Sequence, residues 1–141
     1  MQELLSALVL WLSTNADLPA SFEHPRIERV SGARMVEVRR ERAGAPMPGP
    51  AVHALYDDVS RTIYLGEDWS ADSPAHLSIL VHELAHHLQN VAGARYPCAA
   101  AREKPAYRAQ ARWLEQLDTD LSREFGIDAM TLLLRTGCLP P

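Results

Sequence analysis

The stretch SPAHLSILVHELAHHLQN, residues 73–90, decides how the rest of the chain is read. Ser73 is a good N-cap, and Pro74 suits the first helical position, where its missing N–H costs nothing. Leu77, Leu80, Val81, Leu84 and Leu88 recur at helical spacing and predict an amphipathic helix with one buried face. His82, Glu83 and His86 then lie together on roughly the opposite side. Two histidines at positions i and i+4 of a helix stand one above the other, so both imidazoles can reach a single metal ion. Glu83, beside the first of them, can address a water at the same point. Neutral imidazole and carboxylate suit zinc, and no cysteine lies near the pair, so Zn2+ is the expected cofactor.

Before this helix, Ala51 to Tyr56 and Arg61 to Leu65 read as two strands joined by a hairpin connection at residues 57–60. The strand just before the helix is expected to offer a free edge to an extended peptide. Arg26 to Val30 reads as a further short strand. Ser31 to Arg42 fits either a strand, through Met35, Val36 and Val38, or a short charged helix. Its arginines read as a solvated face rather than a binding patch. Ala43 to Pro50 holds three prolines and two glycines, which makes it a loop and a candidate rim of a cleft. At the N-terminus, Leu4, Leu5, Leu8, Trp11 and Leu12 fit one face of a helix that runs to about Asn15 and covers a sheet.

After the motif, Gly93 suits a C-cap and Pro97 turns the chain. A second helical region starts at Ala99, with Ala106, Ala109, Gln110, Trp113, Leu114, Leu117 and Leu121 on its buried face, and runs until Gly126 breaks it. Asp128 to Arg135 is a short last helix with Leu132 and Leu133 inward. These elements give an α+β fold. A short, mostly antiparallel sheet packs on the N-terminal helix, the motif helix and a C-terminal helix that carries Glu103.

The 141 residues fit one domain, 1–141, with 47% apolar and 23% charged residues, the balance of a globular chain. A net charge of −4 argues against nucleic acid as a partner. No run approaches the roughly 18 apolar residues of a membrane span. Leu4 to Leu12 is apolar enough for a leader, but Glu3 stands where positive charge belongs, so a cytoplasmic location and export both stay open. Cys98 and Cys138 are too few for a disulfide framework. A single bridge and two free thiols are equally compatible with the sequence. Oligomeric state is not legible.

Val81 to Gln89 resembles the HExxH zinc metallopeptidases of the zincin group. Glu103 to Gln110 resembles the glutamate helix of gluzincins, and the length is similar to their small, single-domain, minigluzincin-like members. The resemblance spans about Thr62 to Leu117 and implies a zincin-like domain that hydrolyses peptide bonds in peptide or protein substrates. It also implies that His82, His86 and Glu103 bind zinc and that Glu83 is general base and proton shuttle. Elimination points the same way, with Glu67 and Asp68 the only rivals to Glu103. Tyr107, with Tyr96 as the alternative, is the candidate donor to a tetrahedral intermediate, and packing is the plainer role for both. Tyr107 also occupies the position where thermolysin-like members carry an acidic residue, so the partner of the first histidine is unidentified. Pro105 places Glu103 near the start of its helix.

The remaining histidines read as bystanders. His87 is turned some 100° from the pair and expected in solvent, and His53 and His76 have no nameable partner. The tail offers a second use for Cys138, whose thiolate would fill the open position of the metal as an inhibitory ligand. Two other functions stand beside hydrolysis of peptides: a zinc-binding regulatory or interaction module with little activity, and a hydrolase acting on other bonds.

Overall fold

The computed structural model describes residues 1–18, 23–43 and 53–140. Of the loop expected from Ala43 to Pro50, Ala43 ends α2 and the rest lies outside the described residues, as does its use as a rim. The elements run α1 (Gln2–Asn15), β1 (Arg26–Val30), α2 (Gly32–Ala43), β2 (Ala54–Asp57), β3 (Thr62–Gly66), α3 (Pro74–Val91), α4 (Ala99–Glu115), α5 (Leu121–Phe125) and α6 (Ala129–Thr136). This is a small α+β domain with a three-stranded sheet.

The ambiguous stretch after β1 is helical. Ser31 Oγ accepts from the Arg34 N–H at its start, and Met35 and Val38 are its buried pair. Spacing of three suits a helix face and not a strand face. The sheet has the order β1-β3-β2, with β1 parallel and β2 antiparallel to β3. It is mixed rather than mostly antiparallel, because α2 and then β2 together carry the chain from β1 to the start of β3, which runs alongside β1 in the same direction. This order also corrects the expected substrate edge. β3, the strand just before the His82–His86 motif, is central, with a partner on each side, and β2 is the edge strand beside α3.

One core holds the elements together. Leu5, Leu8, Val9 and Leu12 of α1 pack with Ile63 and Leu65 of β3, Leu80, Val81, Leu84, Ala85 and Leu88 of α3, and Ala106 and Ala109 of α4. Burial of each leucine contributes about 1.5–3 kcal/mol. The Trp11 ring meets Trp113 of α4 edge-on at 5.0 Å, which fixes α1 against the second helix as well as the first.

The C-terminal third departs from the expected continuous helix. α4 ends at Glu115, Asp118 takes a left-handed φ of 57°, and Asp120 caps α5 by accepting from the Arg123 N–H. Leu117 is left 43% exposed, while Leu121 joins a second cluster with Leu114 and Ile127. On α6 it is Leu132 that packs inward, and Leu133 is 66% exposed. Pro105 sits well inside α4, in its second turn, so Glu103 precedes it by less than a turn but is not in the first one. Cys98, the N-cap of α4, forms a disulfide with Cys138, which ties the chain after α6 to the start of the glutamate helix. That bond removes the Cys138 sulfur from any role as an inhibitory metal ligand.

Candidate metal centre

The motif helix forms as its caps dictate. Ser73 accepts from the His76 N–H at 3.2 Å, and Pro74 occupies the first turn. α3 lies between the sheet and α4, so even its polar residues are covered: His82 is 7% exposed and His86 8%. α4 crosses beside it and delivers Glu103. The ligand-type atoms of His82, His86 and Glu103 lie within 4.8 Å of one another. Glu103 Oε1 is 3.1 Å from His82 Nε2, and its Oε2 is 2.7 Å from His86 Nε2. Among the described residues this is the one group of three such side chains with metal-binding spacing.

The other face of each imidazole is also occupied. Gln110 Oε1 lies 2.8 Å from His82 Nδ1, and Gln89 Oε1 lies 2.8 Å from His86 Nδ1. Both amide orientations are fixed by their neighbours. Gln110 Nε2 donates to Ser78 Oγ, whose own proton goes to the Ala75 carbonyl. Gln89 Nε2 donates to the Arg102 carbonyl, and its Oε1 accepts from Arg102 Nε. Gln89 cannot flip without setting its Nε2 against Arg102 Nε and its Oε1 against the Arg102 carbonyl, and a flip of Gln110 would cost the Ser78–Ala75 bond. Each imidazole therefore meets an acceptor at Nδ1 and a carboxylate oxygen at Nε2. A neutral imidazole carries one N–H and can satisfy only one of them. A cation belongs at the Nε2 side, either a proton on each ring or one metal ion shared by both.

The proton version reads as a pair of buried salt bridges. It places two imidazolium rings 5.0 Å apart in the interior, where like charges repel strongly. Burial opposes charge on His86, but the Glu103 hydrogen bond and the Glu83 and Glu103 charges outweigh it and raise its pKa. Burial likewise pushes Glu103 up, yet the two imidazoles hold it well below the usual carboxylate range. The cluster is thus built to keep Glu103 ionised. An ionised carboxylate with two imidazoles is a donor set that fits zinc.

Glu83, next to His82 on α3 and within reach of the charge of His82, His86 and Glu103, also meets the edge strand. The Tyr56 N–H donates to Glu83 Oε2 at 2.9 Å. Burial raises the Glu83 carboxyl against the pull of the two imidazoles, so its affinity for a proton is above that of an ordinary glutamate. The family model described as a domain of unknown function, DUF6647, matches residues 1–140. The chain belongs to the DUF6647 family. No curated protein and no solved structure matches it.

The structure brings three of the five expected residues together, His82, His86 and Glu103, and sets a fourth, Glu83, close enough to feel the charge of all three. The fifth, Tyr107, lies edge-on to His82 with ring centroids 4.6 Å apart, and its hydroxyl oxygen accepts from Arg135 at 3.1 Å. Tyr96 is elsewhere, lining a cavity of about 310 Å³ with Asp58, Asn90 and Arg102. Of the rival ligands, Asp68 pairs with His53 at 3.3 Å and is 70% exposed.

Three histidines differ from their sequence reading. His87 is 1% exposed, not solvated: Tyr56 Oη lies 2.9 Å from its Nδ1 and the Glu23 carbonyl 2.8 Å from its Nε2. A turn of 100° from the metal pair aims it at the sheet, which the sequence alone did not place. His53 and His76 pair with each other, with ring centroids 4.5 Å apart, and His76 Nδ1 accepts from the Ser70 N–H. Gln89 and Gln110, the partners of His86 and His82 at Nδ1, were missed. Their signal is periodicity, since Gln89 is three residues after His86, which it bonds, and Gln110 is seven after Glu103, on the α4 face that turns Glu103 toward the same histidines.

Proposed function

We propose that this chain is a zinc-dependent hydrolase of peptide bonds, with a zincin-like arrangement in which His82, His86 and Glu103 hold the metal. The observation that carries the reading is the convergence of three acceptor groups on one point: the two Nε2 atoms and the Glu103 carboxylate. Bound zinc would supply Lewis acidity, polarising a carbonyl and lowering the pKa of water toward 7.

The chain's own residues supply the rest. Glu83 is the general base: it takes a proton from the attacking water and passes it to the departing amine nitrogen, a transfer worth roughly 10²–10⁴ in rate. Its raised proton affinity suits a group that must hold that proton between the two events. The Tyr56 N–H fixes one of its oxygens, so the carboxylate does not swing. Tyr107 is the proposed donor to the developing oxyanion. Arg135 is a donor only, so its contact uses the Tyr107 oxygen and leaves the hydroxyl proton free. The substrate is a peptide or protein segment, and an extended one would pair along β2, whose outer side already faces Glu83.

A fluorogenic peptide library assayed with zinc, with and without chelator, tests the reading. Cleavage that chelator abolishes and zinc restores is the expected result. Stoichiometric zinc with no cleavage of any peptide would favour the binding module instead.

A further inference from the structure

The two glutamines do more than fill the core. Gln89 is 1% exposed and Gln110 4%, and a buried amide must satisfy all its polar atoms. Gln89 does so in one orientation only, Gln110 does so while keeping the Ser78–Ala75 bond, and in these orientations each oxygen faces a histidine. Arg102 stands behind Gln89. Its Nε donates to Gln89 Oε1, a terminal nitrogen donates to the His86 carbonyl, and the guanidinium pairs with Asp58 through NH1 at 2.8 Å. Asp58 belongs to the turn between β2 and β3, and Arg102 adjoins Glu103 in sequence. One chain of contacts therefore ties the hairpin, the start of α4 and the second histidine together.

We propose that Gln89 and Gln110 are positioning residues of the metal centre. Their amide oxygens take the Nδ1 protons of His86 and His82, which turns both Nε2 lone pairs toward the point that Glu103 faces. The inference rests on the metal reading above and deepens it in one respect. Both outer partners are neutral amides, where a carboxylate in their place would push charge onto the imidazole and make it a stronger, more basic ligand. Amides leave the bound metal more electrophilic at the cost of some affinity.

The test uses the full chain with zinc and with Gln89→Ala, Gln110→Ala and Gln110→Glu. Proton NMR of the zinc-loaded wild type should show two slowly exchanging, low-field imidazole N–H resonances. Each alanine variant should lose one of them and bind zinc roughly 10–100-fold more weakly. Gln110→Glu restores an acceptor, so it should keep both resonances and hold zinc at least as tightly as wild type, with a lower kcat and little change in KM. A merely structural glutamine would not separate metal affinity from kcat in this way. If an alanine variant lacks a folded spectrum, Gln110→Glu alone decides. Zinc-loaded variants with both resonances and wild-type affinity would overturn this inference and leave the metal reading intact. A wild type that takes up no zinc would overturn both.

Discussion

The backbone N–H of Tyr56 donates to Glu83 Oε2 at 2.9 Å, so the edge strand and the motif helix meet at the carboxylate next to His82. Glu83 is thereby held by the strand, outside the group of three side chains, His82, His86 and Glu103, whose ligand-type atoms converge beside it. Its removal and theirs should have different consequences.

Glu83→Gln keeps the shape and the acceptor for Tyr56 but cannot take a proton. Hydrolysis should fall by roughly 10²–10⁴ while zinc content stays near that of wild type. Elemental analysis alongside peptide cleavage measures both, and a variant that loses its zinc would show that Glu83 is a ligand after all.

Glu103→Ala acts on the metal itself. Zinc affinity should drop by more than the roughly 10–100-fold that loss of an outer partner costs. Asp68→Ala, which removes only an exposed partner of His53, should leave zinc content unchanged. The opposite pattern would mean that a different carboxylate completes the site.

The Cys98–Cys138 bridge closes the chain from the cap of α4 to the residues after α6, a sequence separation of 40. Thiol titration of the unfolded, unreduced protein should find no free thiol. Removing the bridge with Cys98→Ser together with Cys138→Ser should cost about 2–4 kcal/mol, read from denaturant melts. Two free thiols in the untreated protein would remove the staple from the fold.

Acid should destabilise the fold through His76. Burial first, and then the neighbouring His53, lower its pKa below the ordinary value, so the folded chain favours the neutral ring. The unfolded chain protonates near pH 6.5 and the folded one later. The stability from His76 is therefore fully present above about pH 6.5 and is lost as pH falls toward the lowered value. His76→Asn keeps an acceptor for the Ser70 N–H without titrating. In chelator, its melting temperature should fall less than that of wild type between pH 7.5 and 5.5. Equal falls would place the acid sensitivity elsewhere.

What the sequence made legible follows from how local each signal is. The caps and leucine spacing of α3 act within a single helix, so its start at Pro74 and the alignment of His82 with His86 could be read directly. The disposition of Glu103 was readable for a similar reason, since few carboxylates lie within reach of the motif. The errors arise where a residue's environment depends on a distant element. His87 was assigned to solvent because nothing local places β2 beneath it. β3 was given a free edge because strand order is set by the crossover through α2, not by the strand itself. Leu133 was turned inward because the three consecutive leucines of α6 differ only in which one meets Leu114 and Leu121. Gln110 stood in plain view within an apolar row of α4, and a polar residue at such a position asks for a partner.

Zinc stoichiometry of the purified protein tests the central claim most directly. Dialysed against buffer with trace zinc, the wild type should carry close to one zinc per chain, and its melting temperature should rise as zinc is added. His82→Ala with His86→Ala should carry none. A wild type with no zinc and no thermal response would mean that protons, not a metal ion, hold His82 and His86 against Glu103, and the account of a metal centre would be wrong.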